Sequence, residues 1–481
     1  MKINKTQKTI LNLSLIVITL AIGIILGIWQ MKPPRVDEAS LQYPAYQRMM
    51  ENIQRMAQNP HRSGSDEIRI VRAQLLAEIE AMGLTPIVED APYTASEIAD
   101  AEMRFHNTTR DEWWEQNRGW IETYCDIYSL DDWFARKAGE DGILELQNIL
   151  VKLDASETER GVMFVSHYDS VDTGPGAADD MLGVCVMLEA MRAQGQNNGL
   201  KNDIYFLFTD GEEMAMLGAW KFVKAHPELK DKIDMVINIE AGGTRGGLVL
   251  FETSLKAYPL LETVKKSGAK PIGFSWAAAV YGMMPNKDSD LTPFIGEGYK
   301  GINLAAAEGM EHYHMPTDSY ENLNSSTAWH YIQTILALAD YAAHNSLDEL
   351  RESPSEAVYF PFLPGVMVLM NALMSHILCI AACVLALVFG AVQEKRGQLK
   401  VTLSVVLMGV LVLLTAGSLM LFPAGSYLFS IPLFLIVITK FLKKWTIVHY
   451  VVWMISGVMV LLLWVPALFL LWGSMVQPMM M

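Results

Sequence analysis

Cysteine is scarce: four in 481 residues, too few for a disulfide framework. Cys379 and Cys383 lie in an apolar C-terminal stretch, and Cys125 and Cys185 stand 60 positions apart. A Cys125–Cys185 bridge and two buried thiols both fit that spacing, and buried thiols are the simpler reading. A basic footprint is also missing. The chain holds 37 Lys+Arg against 53 Asp+Glu, a formal charge of −16, which argues against nucleic acid as a partner. Acid is nearly absent from the two ends: residues 1–30 have none and residues 360–481 have only Glu394. Low-complexity tracts and internal repeats are absent too. With 51% hydrophobic and 10% aromatic residues, a disordered chain is excluded.

Long apolar runs and a split of charge are present. Lys2, Lys5 and Lys8 make the first 30 residues +3, and residues 360–481 are +5, which leaves −24 between them. A wholly soluble protein is therefore excluded. From Thr9 to Gln30 there is no charge, enough at ~1.5 Å per residue to span a ~30 Å hydrocarbon core. A signal peptide is the rival, but the run ends in Gly27-Ile28-Trp29-Gln30-Met31-Lys32 without a small-residue cleavage pattern, so an uncleaved anchor is expected. Ala357–Gln393 and Val401–Thr439 are also uncharged, the second long enough for two spans around Pro423-Ala424-Gly425-Ser426, and another apolar stretch follows from about Thr446 to Trp472. The expectation is one N-terminal and about four C-terminal transmembrane helices. The basic segments Lys395-Arg396…Lys400 and Lys440…Lys443-Lys444 then share the side of the N-terminus. This puts the N-terminus in the cytoplasm, the acidic domain and the C-terminus outside, and the lipid bilayer among the partners, with a bacterial inner membrane as the expected setting. No Asp or Glu lies inside a run, which disfavours a transporter; His376 and His449 read as packing or interfacial residues.

The expected organisation is residues 1–30 as cytoplasmic tip and anchor, 31–42 as linker, 43–345 as one extracytoplasmic domain, 346–358 as a second linker and 359–481 as a membrane domain. Within the middle part, continuous apolar segments such as Val162–Ser166, Ile204–Thr209 and Met235–Ile239 alternate with helical ones such as Leu182–Arg192 and Ala215–Ala225. That alternation predicts an α/β fold, a three-layer αβα sandwich around a mixed, mostly parallel sheet. The Trp-, Asp- and Glu-rich stretch 95–140 fits poorly and reads as an insertion or cap. Asn107-Thr108-Thr109 and Asn324-Ser325-Ser326 match glycosylation sequons, which act only in a eukaryotic secretory pathway.

Polar residues collect where apolar strands end, the place where open α/β sheets hold their ligands. Val162–Ser166 runs into His167-Tyr168-Asp169, an imidazole with a carboxylate two residues on. Gly174-Pro175-Gly176-Ala177-Ala178-Asp179-Asp180 precedes a helix that one of its acids could cap. Asp210-Gly211-Glu212-Glu213 follows a buried strand, Glu240 ends another, and His312-Tyr313-His314…Asp318 precedes the last helix. Each alone has a structural explanation. Together they supply two histidines and at least three carboxylates, an N/O donor set suited to zinc or a similar divalent ion. They are too many for one tetrahedral ion. Two ions sharing a carboxylate would use five residues and leave one carboxylate as general base.

The order His-x-Asp, Gly-Ala-x-Asp-Asp, Gly-Glu-Glu, strand-end acid and Tyr-His-x-x-x-Asp resembles metallopeptidase family 28, over roughly Asn148–Leu323. Asn59-Pro60-His61-Arg62-Ser63-Gly64-Ser65 is similar to that family's N-terminal region. Asn238-Ile239-Glu240-Ala241-Gly242-Gly243 and Val186-Met187-Leu188-Glu189 look most like its membrane-anchored branch. The resemblance implies a zinc-dependent exopeptidase, foremost an aminopeptidase, acting on peptides with two Zn2+ per chain. It implies His167 and Glu240 on one ion, Glu213 and His314 on the other, Asp179 bridging through a cis Asp179–Asp180 peptide, and Glu212 as general base and acid. It further implies Asp169 orienting His167, Asp318 supporting His314, and a structural Asp290. Glu240 stands where many soluble relatives have Asp, and Asp180-Met181-Leu182-Gly183 replaces the usual Asn-x-Ser-Gly. The rival expectations are a single-zinc glutaminyl cyclase and a non-catalytic receptor or scaffold on a peptidase fold. The first should lack part of the His167/Glu240 set and the second should have lost ligands or base; all six positions are filled.

Overall fold

The computed structural model describes residues 5–139, 141–156, 158–195, 199–284, 288–351, 355–363, 365–396, 403–441 and 446–476. Lys2, Glu140, residues 352–354 of the second linker, residues 397–402 and Lys443-Lys444 lie outside these. The chain divides into two compact units: Pro33–Pro271 with Val280–Pro354, and Met1–Lys32 with Ile272–Ala279 and Ser355–Met481.

The first unit is built on seven strands: β1 (Ile87–Thr94), β2 (Ile143–Leu153), β3 (Gly161–His167), β4 (Asp203–Thr209), β5 (Ile233–Ala241), β6 (Arg245–Thr253) and β7 (Gly301–Glu308). They line up as β1-β2-β4-β3-β5-β7-β6. The centre, β4-β3-β5-β7, is parallel; β1, β2 and β6 pair antiparallel at the edges. The sheet is therefore mixed as expected, but only its centre is parallel. Every residue of β3 and β4 is buried, as continuous apolar strands covered on both faces require. Met163, Val165, Tyr205 and Leu207 point to one layer, against Phe222 and Val223 of helix Leu217–Ala225 and Phe294 of helix Leu291–Gly296. On the opposite side helix Met181–Gly195 packs on β3 and against helices Tyr43–Met56 and Ser325–His344.

The 95–140 stretch is helical: Ala95–Phe105, Arg110–Cys125 and Leu130–Ala138. Capping boxes at Thr94/Glu97 and Thr109/Glu112 start the first two, each pairing a threonine with a glutamate three residues on. Their apolar faces, with Ile98, Trp113, Ile121 and Phe134, close on Met214 and Leu217, directly after Glu212-Glu213. Strand β1, in front of this insertion, is hidden in the sequence by Glu89, Asp90 and Pro92. As an edge strand it tolerates a proline. The residue 346–358 linker is likewise more structured than expected: Asp348–Arg351 forms a 3-10 turn, and Arg351 Nη2 pairs with buried Asp234 at 2.8 Å. No disulfide forms among the described residues. Cys185 is buried and Cys125 half-buried, both free.

In the second unit, residues 357–371 are not the start of a span. They form a hairpin, Ala357–Leu363 against Val366–Asn371, and Asn371 then caps helix Ala372–Lys395 through Met374 N at 2.9 Å. Helices Leu403–Leu421, Tyr427–Phe441 and Thr446–Val476 follow, with a Pro423–Gly425 turn between the first two. Helix Lys5–Trp29 packs along the last of these. A Cβ on Gly23 would collide with the Leu461 side chain, so glycine permits the approach. Four C-terminal helices are thus present, but the count of about five spans is corrected. Over the described residues, two helices are long and apolar enough to cross a membrane, Thr9–Trp29 and Ala372–Lys395. Tyr427–Phe441 has 15 residues, about 22 Å against a ~30 Å core, and carries Pro432 inside.

Candidate metal centre

Register brings the site together. His167 pairs with Thr209 and Glu240 with Ala305, so the parallel strands finish on one rim. His167 closes β3, Glu240 is the penultimate residue of β5, and the turn after β4 carries Glu212 and Glu213. This turn is tight: Gly211, Ala215 and Met216 all have left-handed φ, +81°, +62° and +55°. At Gly211 a Cβ would also meet Leu146 Cδ1 at 2.8 Å. Asp179 and Asp180 stand before helix Met181–Gly195, joined by a cis peptide. His314 arrives from the loop before helix Ser325–His344 with φ +56°, its carbonyl accepting from Thr173 Oγ1 at 2.7 Å.

The five expected ligands converge. Asp179 Oδ1 lies 3.3 Å from His167 Nε2, which is 3.6 Å from Glu240 Oε2. Asp179 Oδ2 lies 3.4 Å from His314 Nε2, which is 3.0 Å from Glu213 Oε2. Each oxygen of one carboxylate thus faces a separate imidazole–carboxylate pair. His167 Nε2, His314 Nε2 and Glu213 Oε1 are buried and make no hydrogen bond among the described residues. His167 Nδ1 lies 3.0 Å from the Asp169 carbonyl oxygen, so it carries the proton and Nε2 turns its lone pair to the centre. Ligands about 2.0–2.1 Å from a tetrahedral ion stand about 3.3–3.4 Å apart, close to these spacings. The residues fit a divalent ion such as zinc.

Charge supports the same reading. Burial pulls the His167 imidazole down, but Asp169, Asp179 and Glu240 outweigh it and raise it well above its ordinary range. His314 is likewise pushed up to about 10 against its burial, by Asp179 and Glu213. Burial favours the neutral form of Asp179, yet the two imidazoles bring it down to about 2. Glu213 is raised to about 7 by burial and by Asp179. So dense a set of carboxylates demands positive charge within it.

Around the ligands, Asp169 Oδ1 lies 3.5 Å from His167 Nδ1, and the same carboxylate has further partners. Asp169 Oδ1 and Oδ2 accept the backbone N–H groups of Glu212 and Glu213 at 3.1 and 3.3 Å. Its carboxylate therefore holds the Glu-Glu turn, while its carbonyl is nearest the His167 ring. Asp318 accepts from Ala178 N and Asp179 N at 2.9 and 3.1 Å, and so supports the Asp179 loop; no hydrogen bond joins it to His314 among the described residues. Asp290 is buried and accepts from Thr209 Oγ1. Glu212 is raised well above the carboxylate range by burial and by Glu240. Three further residues enter that the sequence reading left without a role. Asp180 groups with His167 and Glu240 and accepts from Ser166 Oγ. Asp210 gathers Ser63, Arg72, Tyr168 and Gln147 N around its carboxylate. Tyr313 stacks on His314, ring centroids 3.8 Å apart; burial and the charges of Asp179, Glu213 and Glu212 keep its phenol protonated. Its place beside His314 was the signal available in sequence.

Residues 148–339 match the model of peptidase family M28. The M28-matching stretch covers about two fifths of the chain and contains every expected ligand and Glu212, but not Ser63 or Arg72. The chain is similar to the vacuolar membrane protease of Saccharomyces cerevisiae (strain YJM789), 32% identical over 225 residues; that is 46% of this chain and 22% of the relative. It thus spans about a fifth of that relative's length. Among solved structures it is similar to the aminopeptidase from Aneurinibacillus sp. strain AM-1, with a TM-score of 0.46 and 14% identity over 63% of this chain and 94% of the other. The glutaminyl cyclase of Porphyromonas gingivalis gives a TM-score of 0.43 and 18% identity over 61% and 97%.

Proposed function

We propose that this protein is a membrane-anchored, zinc-dependent exopeptidase with two ions per chain that removes residues from the amino end of peptides. The observation that carries this reading is Asp179, whose two oxygens each face an imidazole–carboxylate pair. His167 and Glu240 would hold one ion, Glu213 and His314 the other, with Asp179 between. Bound there, the ions would supply an acidified water and positive charge for a polarised carbonyl. Glu212, placed on the turn beside them, takes the proton of the attacking water and passes it to the leaving amine. Its raised proton affinity suits that shuttle. Tyr313 keeps its O–H and can donate it to the oxygen on which charge develops. Asp169 holds the amides of Glu212 and Glu213 and so fixes the pitch of both carboxyl groups.

The anchor rests on helices Thr9–Trp29 and Ala372–Lys395. Lys5 and Lys8 before the first and Lys395-Arg396 at the end of the second place those ends in the cytoplasm and the peptidase unit outside it, in a bacterial inner membrane on this reading.

The test uses the full chain in nanodiscs, loaded with zinc and given a mixed peptide pool, with products read by mass spectrometry. Single residues lost stepwise from the amino end are expected. Glu212→Gln should keep its metal and lose about 10³-fold in kcat. Wild-type turnover in that variant would remove Glu212 from the mechanism. One zinc per chain together with pyroglutamate products would replace the reading with a cyclase.

A further inference from the structure

We propose that Ser63 is a positioning residue for this reaction, contributed by a segment that lies outside the M28-matching residues; the proposal rests on the peptidase reading above. Ser63 is fully buried, and its Oγ lies 2.7 Å from Asp210 Oδ1 and 3.2 Å from Asp169 Oδ2. These two buried carboxylates bracket the turn that carries Glu212 and Glu213. Asp210 begins it, fastened by Arg72 Nη2 at 3.0 Å, Gln147 N at 3.1 Å and Tyr168 Oη at 3.2 Å. Asp169 holds its two amides. One hydroxyl therefore stands between the anchor of the turn and the acceptor of its N–H groups, and keeps two like charges apart in a place without solvent.

The hydroxyl is brought there by the chain, not by chance contact. His61 N donates to Ser170 Oγ at 2.9 Å, and Ser170 N donates back to the His61 carbonyl at 3.3 Å, so the Asn59–Ser65 loop is tied to the residue next to Asp169. Two residues on, Ser65 caps helix Asp66–Ala81 by accepting from Ile68 N and has no hydrogen bond to either carboxylate. The loop thus contains a hydroxyl aimed at the turn and another, Ser65 Oγ, that donates to the Arg62 carbonyl at 2.6 Å and caps the following helix. Without Ser63 Oγ, Asp169 loses its partner on the oxygen that holds Glu213 N, and the turn gains freedom at the two residues whose carboxyl groups must be placed to within a fraction of an ångström.

The experiment compares Ser63→Ala and Ser65→Ala with the wild type, as full chains in nanodiscs loaded with zinc. It reads amide hydrogen exchange over residues 210–216, zinc per chain, kcat and KM. For Ser63→Ala, exchange at Glu212 and Glu213 should quicken at least tenfold and kcat should fall about 10–100-fold, the usual cost of removing a partner outside the ligand set. KM should stay within about twofold and zinc at the wild-type count. Ser65→Ala should match the wild type in both exchange at 210–216 and kcat. Unchanged exchange at Glu212 and Glu213 overturns the proposal, and so does an equal rise in Ser65→Ala, which would mean general loosening of the loop. If Ser63→Ala does not fold, Ser63→Cys, similar in size but a weak donor, decides on the same exchange readout. If the wild type cleaves no peptide, the peptidase reading fails by itself while exchange still tests Ser63.

Discussion

The two halves of the candidate metal centre are built differently. His167 and Glu240 stand at the ends of adjacent parallel strands, and the His167 side chain is 1% exposed. Glu213 and His314 stand in a 3-10 turn and a loop, and the His314 side chain is 36% exposed with left-handed backbone. The strand half takes its geometry from sheet register, which the whole core maintains. The loop half depends on a few bonds: Asp169 to the Glu213 amide, Thr173 to the His314 carbonyl and the Tyr313 ring against the imidazole. A rigid half and an adjustable half, sharing Asp179, would let substrate binding reshape one side without disturbing the other.

The largest effect should come from Asp179→Ala. It removes the one residue common to both halves, so zinc analysis should find neither ion retained and peptide cleavage should fall to background. Retention of one full equivalent would show that a half stands without the bridge. Next, His167→Ala and His314→Ala should part company. Each should cost about one ion, but His167→Ala leaves buried Asp179 and Asp180 and partly buried Glu240 without their cation and should destabilise the zinc-free protein by roughly 3–5 kcal/mol. His314→Ala should cost less by the same denaturant titration, because its ring is 36% exposed where that of His167 is 1% exposed. Equal losses would erase the distinction. A smaller effect is expected from Asp169→Asn, which weakens the hold on Glu212 and Glu213 together with the charge beside His167. About 10–100-fold in kcat is expected, with zinc lost first from the loop side on stepwise chelation.

The same division explains what was legible in the sequence. Strand-end residues are readable because a continuous apolar run announces a buried strand and its last polar residue then has one place to be; His167, Glu240 and the Glu212-Glu213 turn follow from that alone. Which carboxylate bridges is not readable from the run. It depends on how the Asp179 loop turns, and only the resemblance points to Asp179. The backbone amides that Asp318 and Asp169 hold are not readable, because proximity in sequence says nothing of which amide a carboxylate will meet. Asp318 meets Ala178 and Asp179, some 140 residues away. Edge strand β1 was hidden by its acids and proline, and the hairpin at 357–371 by an unbroken apolar composition that fits a span equally well. Asn371, a helix cap in the middle of that run, was the one mark of the true helix start.

The smallest effect on peptide cleavage is expected at a histidine that no ion would claim, and it separates acid damage at the centre from acid damage to the fold. His330, on helix Ser325–His344, is buried. Its Nδ1 accepts from Leu248 N in β6 at 3.0 Å, and its Nε2 lies 3.0 Å from the Lys270 carbonyl, to which it must donate. This ring is neutral by construction, since a second proton would sit on the nitrogen that Leu248 uses. Burial accordingly lowers it from 6.5 to about 4. Between those values the unfolded chain binds a proton that the folded chain refuses. Stability is therefore full above pH 6.5, falls as pH drops through the window and levels off below about 4, by about 3 kcal/mol in all. Denaturant titrations of zinc-free wild type and His330→Gln at pH 7.5 and pH 4.5 should show a smaller acid loss in the variant, while peptide cleavage at neutral pH stays as in the wild type. An equal acid loss in both would place the fold's acid sensitivity in the carboxylates of the centre instead.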